Sequence, residues 1–259
     1  MTLHTKTFML TDKKALVIGI ANEHSIAYGC AKSFKSLGAD LAITYLNEKA
    51  KPHVEPLARE LDASIFMPCD MRDHEELEEV FAEIRRKWGK LDIALHSIAF
   101  APKDDLEGRL VDSSLEGFLT AVDVSCHSFI RMARLSESLM KEGGTLFTMS
   151  YYGAHMVVEH YNLMGPIKAA LEATVRYLAA ELGPKIRVNA ISPGPIQTRA
   201  ASGLSHFDEL LSIATTKAPA KALATIDDVG NATAALATEA GRLITGETIY
   251  VDGGYHIID

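Results

Sequence analysis

The chain has 259 residues, of which 47% are hydrophobic, and carries 26 Lys+Arg against 34 Asp+Glu for a net charge of −8. That length buries a sizeable core, as one large α/β domain or two small ones. The acidic balance argues against a general nucleic-acid binder, which shows a basic footprint, so no nucleic acid is expected as partner.

The opening MTLHTKTFML has no long apolar stretch and no small-residue cleavage site, so no signal peptide is expected. ALVIGI (15–20) reads as a first strand, with a helix over 25–38. DLAITY (40–45) reads as a second, with a helix near 48–61, and SIFMP (64–68) precedes an acidic amphipathic helix over about 73–88. LDIALHSIA (91–99) is a fourth strand with its exit loop, and one long helical stretch is expected over about 113–141. GTLFTMS (144–150), IRVNAIS (186–192) and ETIYV (247–251) complete the strands, with helices near 161–182, 206–216 and 226–239. Apolar runs are short and interrupted, so no helix is expected to cross a membrane. Cys30, Cys69 and Cys126 are far apart and odd in number, which reads as reduced, buried thiols of a cytoplasmic protein.

Continuous apolar strands alternating with amphipathic helices mean a parallel sheet covered on both faces. No linker, repeat or low-complexity segment breaks the pattern. The expected fold class is therefore α/β: a single domain over 1–259, a doubly wound parallel sheet with helices on both faces. Such sheets bind ligands in the crevice beyond the carboxyl ends of their strands, which directs attention to the loops after each one.

After the first strand, GIANEHSIAYG places Gly19 in the tight turn and Ser25 where a helix N-cap belongs. A helix N-terminus offers unpaired N–H groups and positive dipole to a pyrophosphate, although the usual glycine trio is absent. After the second strand, Glu48 is placed to bind a ribose diol and Lys49 to accept a 2′-phosphate, so NADH and NADPH both stay open. Asp70, after the third strand, is placed for an adenine amino group or as a helix cap. In HSIAFAP, Ser97 and Ala99 are small enough for a cofactor to lie against the backbone, while His96 reads as a satisfied core histidine.

The fifth strand delivers YNLMGPIKAA, with Tyr161 and Lys168 seven positions apart. As two helical turns this spacing puts both side chains near one face, roughly 10 Å apart along the axis, with the lysine leaning back. A cation beside a phenol is expected to lower its pKa. Pro166 costs little if the helix starts just after Tyr161 and marks a bend if it starts earlier. SPGPIQTRAASGLSHF then makes a rigid turn and a mixed segment suited to a lid over about 195–217.

Taken together, GIANEHSIAYG, HSIAFAP, MSYYGA, YNLMGPIKAALEA, IRVNAISPGPIQTRAASG, DVGNA and GETIYVDGGY resemble, in order, the short-chain dehydrogenase/reductase superfamily. Within it they are similar to the enoyl-[acyl-carrier-protein] reductases of bacterial type II fatty acid synthesis. The likeness covers essentially the whole chain. Most of the superfamily has Tyr-x3-Lys; Tyr161-x6-Lys168, with Tyr151 ten positions before Tyr161, matches the enoyl reductase branch.

The resemblance implies a Rossmann-like fold and reduction of the trans-2 double bond of an enoyl thioester on acyl carrier protein. It implies NADH as cofactor, with NADPH possible, no metal, and a homotetramer. It assigns Gly19, Ser25 and Ile26 to the pyrophosphate, Asp70 and Met71 to adenine, Ile98 to the ribose and nicotinamide, and Ile196 to the carboxamide. Lys168 would bind the nicotinamide ribose. Ala101 would lie near the substrate, Tyr161 would bond the thioester carbonyl, and Tyr151 would line or assist the site. Leu46 departs from the glutamine that NADH-using relatives commonly carry. Arg199, Lys217 and Lys221 flank the lid as candidates for docking the acidic carrier protein. The alternatives are a ketone or alcohol dehydrogenase of the same superfamily and a non-catalytic nucleotide sensor.

Overall fold

The computed structural model describes residues 7–198 and 207–258. In chain order the elements are β1 (Lys14–Ile18), α1 (Ile26–Ser36), β2 (Asp40–Tyr45), α2 (Lys51–Glu60), β3 (Ile65–Pro68) and α3 (His74–Trp88). Then come β4 (Ile93–His96), α4 (Lys103–Glu107), α5 (Leu115–Val122), a π turn (Asp123–His127) and α6 (Ser128–Glu137). β5 (Gly144–Met149), α7 (Met164–Leu182), β6 (Ile186–Pro193), α8 (Phe207–Lys217), α9 (Ile226–Ala237) and β7 (Thr248–Val251) complete the fold.

The strands form one seven-stranded sheet in the order β3-β2-β1-β4-β5-β6-β7. Every neighbouring pair is parallel. Strand side chains alternate between faces, and two cores follow from that period. Leu16, Ile18, Ala42, Ala94, Leu146 and Val188 join one core with α3, α6 and α7. Ala15, Val17, Leu41, Ile43, Leu95 and Phe147 join the other with α1, α2 and α9. Consecutive residues thus serve opposite faces, which is why these strands read as unbroken apolar runs.

The order reverses between β1 and β4, so the crevice opens where the loops after these strands diverge. Two glycines permit close backbone approaches, one at the crevice and one between helices. Gly19 has φ +115°, and a Cβ there would lie 2.1 Å from the Ser97 carbonyl oxygen of the neighbouring loop. Gly29 lets α1 cross α9 closely, since a Cβ there would meet the Ile226 carbonyl oxygen at 2.1 Å.

The long helix expected over 113–141 is broken into α5 and α6 by the π turn, a common device near functional sites. Its Ser125 hydroxyl accepts from Phe100 N (2.9 Å) and donates to Phe100 O (3.0 Å), which pins the loop after β4. The lid expected at 195–217 is described only at its ends, because 199–206, with Arg199, lie outside the described residues. Ala214 and Ala218 of that far end pack with Tyr255 in a small separate cluster.

Candidate active site

α7 begins at Met164, so Tyr161 stands in the turn before the helix. The estimate of two helical turns between Tyr161 and Lys168 therefore does not describe the site. His160 (φ 62°) and Asn162 (φ 36°) are left-handed on either side of the tyrosine, a strain of the kind that clusters at functional positions. Pro166 falls in the first turn of the helix, where its missing N–H has no intrahelical partner to lose. Gly165 lies against the turn of residues 152–154, where a Cβ would be 3.2 Å from Gly153 O.

A cavity of about 380 Å³ opens at the carboxyl ends of β1, β4, β5 and β6. It brings together nine of the residues singled out from the sequence: Gly19, Ser25, Ile26, Ile98, Ala101, Tyr151, Tyr161, Lys168 and Ile196. Ser97 and Ala99 also line it, as do Leu106 and Met164, which the sequence did not single out. Leu106 belongs to the five-residue α4, too short to leave a periodic signal.

Ser25 holds the N-cap position of α1, yet its hydroxyl makes no cap bond to the helix. It turns back to accept from Ala21 N (3.0 Å) and Asn22 N (3.1 Å), so it shapes the loop instead. The start of α1 thus has no side-chain cap, and Ser25 and Ile26 of that end line the cavity, an arrangement suited to an anion. With the close approach at Gly19, this end fits a dinucleotide pyrophosphate.

Asp70 and Met71 do not line that cavity. Asp70 is paired with Arg72, Oδ2 to Nη2 at 2.6 Å, which holds its carboxyl below the usual range. It does not cap α3; Asp73 does, accepting from Glu75 N at 2.9 Å. Met71 is buried, and its carbonyl accepts from Arg131. In the turn after β2, Leu46 is exposed. Glu48 accepts from the Tyr45 hydroxyl (3.3 Å) and lies 3.5 Å from Lys51.

Lys168 is buried, and its ammonium donates to Met149 O at 2.7 Å. Burial lowers its pKa to about 8, opposed by the nearby Cys126 and Glu172. The Tyr161 phenol moves the other way from expectation. Burial, and then the negative charge of Glu172, push its pKa well above the ordinary value, so the lowering expected from Lys168 does not occur. Burial also raises Tyr151, with the neighbouring tyrosines adding to the rise. Both phenols are therefore neutral hydrogen-bond donors near neutral pH.

The rings of Tyr151 and Tyr161 meet edge-on with centroids 4.9 Å apart. The Tyr151 hydroxyl is buried with no hydrogen-bond partner among the described residues, and a ligand oxygen in the cavity would satisfy it. His96 is fully buried between the Thr148 hydroxyl (3.1 Å) and the Ser128 hydroxyl (2.7 Å). Ser128 donates onward to Val124 O, so His96 donates from Nε2 and accepts at Nδ1. Burial lowers its pKa to about 3, which makes it a neutral core histidine, as its sequence context suggested.

An uncapped helix end, small residues along the crevice and a tyrosine–lysine pair at its floor define a dinucleotide-dependent oxidoreductase. Comparison with known proteins is more specific. The family model for enoyl-(acyl carrier protein) reductase matches residues 19–256. A Rhizobium meliloti (strain 1021) protein named enoyl-[acyl-carrier-protein] reductase [NADH] 1 is 44% identical over 251 residues, covering 96% of this chain and 92% of that one. Among solved structures, the reductase of Anaplasma phagocytophilum in complex with NAD superposes with a TM-score of 0.92 at 48% identity, covering 97% of each chain. The Bacillus cereus enoyl-acyl carrier protein reductase with NADP+ and an indole naphthyridinone reaches 0.95 at 42%, covering 97% of this chain and 99% of that one. The chain belongs to the enoyl-(acyl carrier protein) reductase family.

Proposed function

We propose that this chain reduces the trans-2 double bond of enoyl thioesters on acyl carrier protein with NADH, the final reductive step of the fatty acid elongation cycle. The observation that carries this reading is the single cavity joining the uncapped end of α1 to Tyr151, Tyr161 and Lys168.

Gly19, Ser25 and Ile26 hold the pyrophosphate, and the adenine extends past the cavity toward Asp70 and Met71 at the carboxyl end of β3, where Arg72 already occupies the Asp70 carboxylate. Ile98 and Ile196 flank the nicotinamide end, and Lys168 grips its ribose. The bound nicotinamide supplies the hydride for the β-carbon of the substrate. Tyr161, a neutral phenol, donates a hydrogen bond to the thioester oxygen as negative charge develops there. Such a donor, preorganised in a water-poor site, contributes on the order of 10²–10³ in rate. Tyr151 presents its unpaired hydroxyl to the same region, and Ala101 leaves room for the acyl chain. A tyrosine or a water delivers the final proton to the α-carbon.

NADH is the favoured cofactor because Glu48 puts a carboxylate beside the adenosine end, where a 2′-phosphate would be repelled; NADPH through Lys49 is the alternative. The exposed Lys217 and Lys221 offer cations to the acidic carrier protein. Exposed Leu115, Phe118 and Leu119 on α5 support self-association as a homotetramer. The three free, buried cysteines suit a cytoplasmic enzyme. We assign the whole chain to one domain, with the lid over about 195–217.

Steady-state rates with crotonyl and longer enoyl thioesters, using NADH and NADPH in turn, test the reading. Oxidation of NADH by enoyl thioesters but not by simple ketones is the expected result. Turnover of ketones alone, or cofactor binding without turnover, overturns it.

A further inference from the structure

Glu172 is 2% exposed, a rare state for a carboxylate. It lies one helical turn beyond Lys168 on α7, so both side chains project toward the end of β5. Lys168 donates to the carbonyl of Met149, and the hydroxyl of Ser150, the next residue, donates to Glu172 Oε1. The other carboxylate oxygen, Oε2, is 2.6 Å from His155 Nε2. Glu172 thus grips both ends of the arm 150–155, which carries Tyr151 and the Gly153 bed of the Tyr161 ring.

We propose that Glu172 is a positioning residue for the reaction, clamping Ser150 and His155 so that the Tyr151 arm and the Lys168 ammonium are held as one unit. The proposal rests on the reductase reading of the cavity and adds to it a residue that touches neither cofactor nor substrate.

Two physical consequences follow. A buried carboxylate needs its hydrogen-bond partners, so losing His155 frees one end of the arm. The carboxylate also favours the charged form of Lys168, whose pKa burial has already lowered to about 8. The groups facing this pair are Cys126 from the π turn, His96 from β4, Tyr161 and His155 from the segment before α7, and Tyr250 from β7. Of these, Cys126, His96, Tyr161 and Tyr250 do not carry charge between pH 6 and 8: His96 is neutral, and burial raises the thiol and both phenols. Glu172 is therefore a carboxylate that favours the charged lysine against the larger, lowering effect of burial.

The test uses the full chain with NADH and crotonyl thioester from pH 6 to 9.5. E172Q keeps the shape of the side chain and removes its charge. It is expected to move the alkaline limb of kcat/KM, and of NADH binding measured without substrate, down by about one pH unit. H155A is expected to lower kcat several-fold with NADH affinity little changed, and H155Q, which keeps a donor, to recover most of that loss. His155 is 57% exposed, so these variants fold even where E172Q does not. An unshifted alkaline limb in E172Q, or H155Q as impaired as H155A, overturns the proposal. Failure of the unaltered chain to turn over enoyl thioesters would instead sink the reductase reading, while the NADH-binding titration would still report on Glu172.

Discussion

Gly153→Ala isolates the placement of the Tyr161 ring from cofactor binding. Gly153 sits in the turn Tyr152–Ala154, and a Cβ there would lie 2.7 Å from Tyr161 Cδ1, 3.0 Å from Cε1 and 3.4 Å from Tyr151 Cδ1. An ordinary carbon–carbon contact is about 3.5–4.0 Å, so the ring must move by roughly 0.8–1.3 Å. Displacements near 1 Å at reacting groups cost about 100-fold in rate. Overpacking of this kind also costs about 1–3 kcal/mol of stability, a Tm lower by roughly 2–10 °C in a chain this size. Lys168 donates to Met149 on the far side of the arm and is not touched. The expected result is kcat lowered about 10- to 100-fold with NADH affinity nearly unchanged, read by steady-state kinetics and fluorescence titration at a temperature where both proteins are folded. A variant with normal kcat would show that the ring's position against Gly153 does not matter to the chemistry. A loss confined to NADH binding would show that the arm serves the cofactor instead.

Lys168→Met should abolish turnover yet raise Tm at pH 7. The native lysine titrates at about 8 instead of 10.5, so below pH 8 the full cost of burying its charge, about 3 kcal/mol, is present. The variant's advantage should shrink between pH 8 and 10.5, as the native lysine gives up its proton, and a lower Tm for the variant at pH 7 refutes this. For His96 the native pKa is about 3 against an ordinary 6.5, so stability is lost as pH falls from 6.5 toward 3, by about 1.4 kcal/mol per pH unit. His96→Gln, followed by urea unfolding between pH 4.5 and 6.5, should flatten that slope, and an unchanged slope assigns it elsewhere. Gly29→Ala should cost about 3 kcal/mol or more by forcing α1 from α9, because its Cβ would overlap the Ile226 backbone; an unchanged Tm refutes the close crossing.

The inner strands were legible because β1, β2, β4, β5 and β6 are covered on both faces, so period-2 burial leaves continuous apolar runs with sharp ends; DLAITY coincides with β2. The π turn was not legible. A five-residue π turn inside a helix barely alters a 3.6-residue pattern, and the contact it carries, Ser125 to Phe100, spans 25 positions. Tyr161 and Lys168 stood out by type and spacing. The expectation that the lysine would acidify the phenol failed because burial of the phenol outweighs a nearby cation, and burial is a tertiary property. Glu172 left no signal at all: on a helix it reads as one more solvated acid, and only the fold brings Ser150 and His155 to it. Asp70 stands out by its place at a strand end, but nothing in CDMR shows that its carboxylate is taken by Arg72.

The departures from ordinary local rules are concentrated in one stretch. Between Tyr151 and Glu172 lie an unpaired buried hydroxyl, two left-handed residues beside a tyrosine, a buried ammonium and a buried carboxylate. Each is unfavourable by itself, by about 1–3 kcal/mol for the strained residues and the unpaired hydroxyl. The two cores on either face of the sheet supply the offset, since burial of apolar surface is worth roughly 1.5–3 kcal/mol per large side chain. What the stretch gains is neutral phenol donors and a charged ammonium held together away from water, where each acts more strongly on a ligand than it would in solvent. Burial raises both phenols further above neutral pH, while Cys126 and the carboxylate one turn away oppose the lowering that the same burial imposes on the lysine. A site that must stabilise a developing oxyanion and hold an anionic cofactor needs donors and a cation together. A low-dielectric pocket favours the first without help but works against the second, and Glu172, buried one turn from the lysine, opposes that effect.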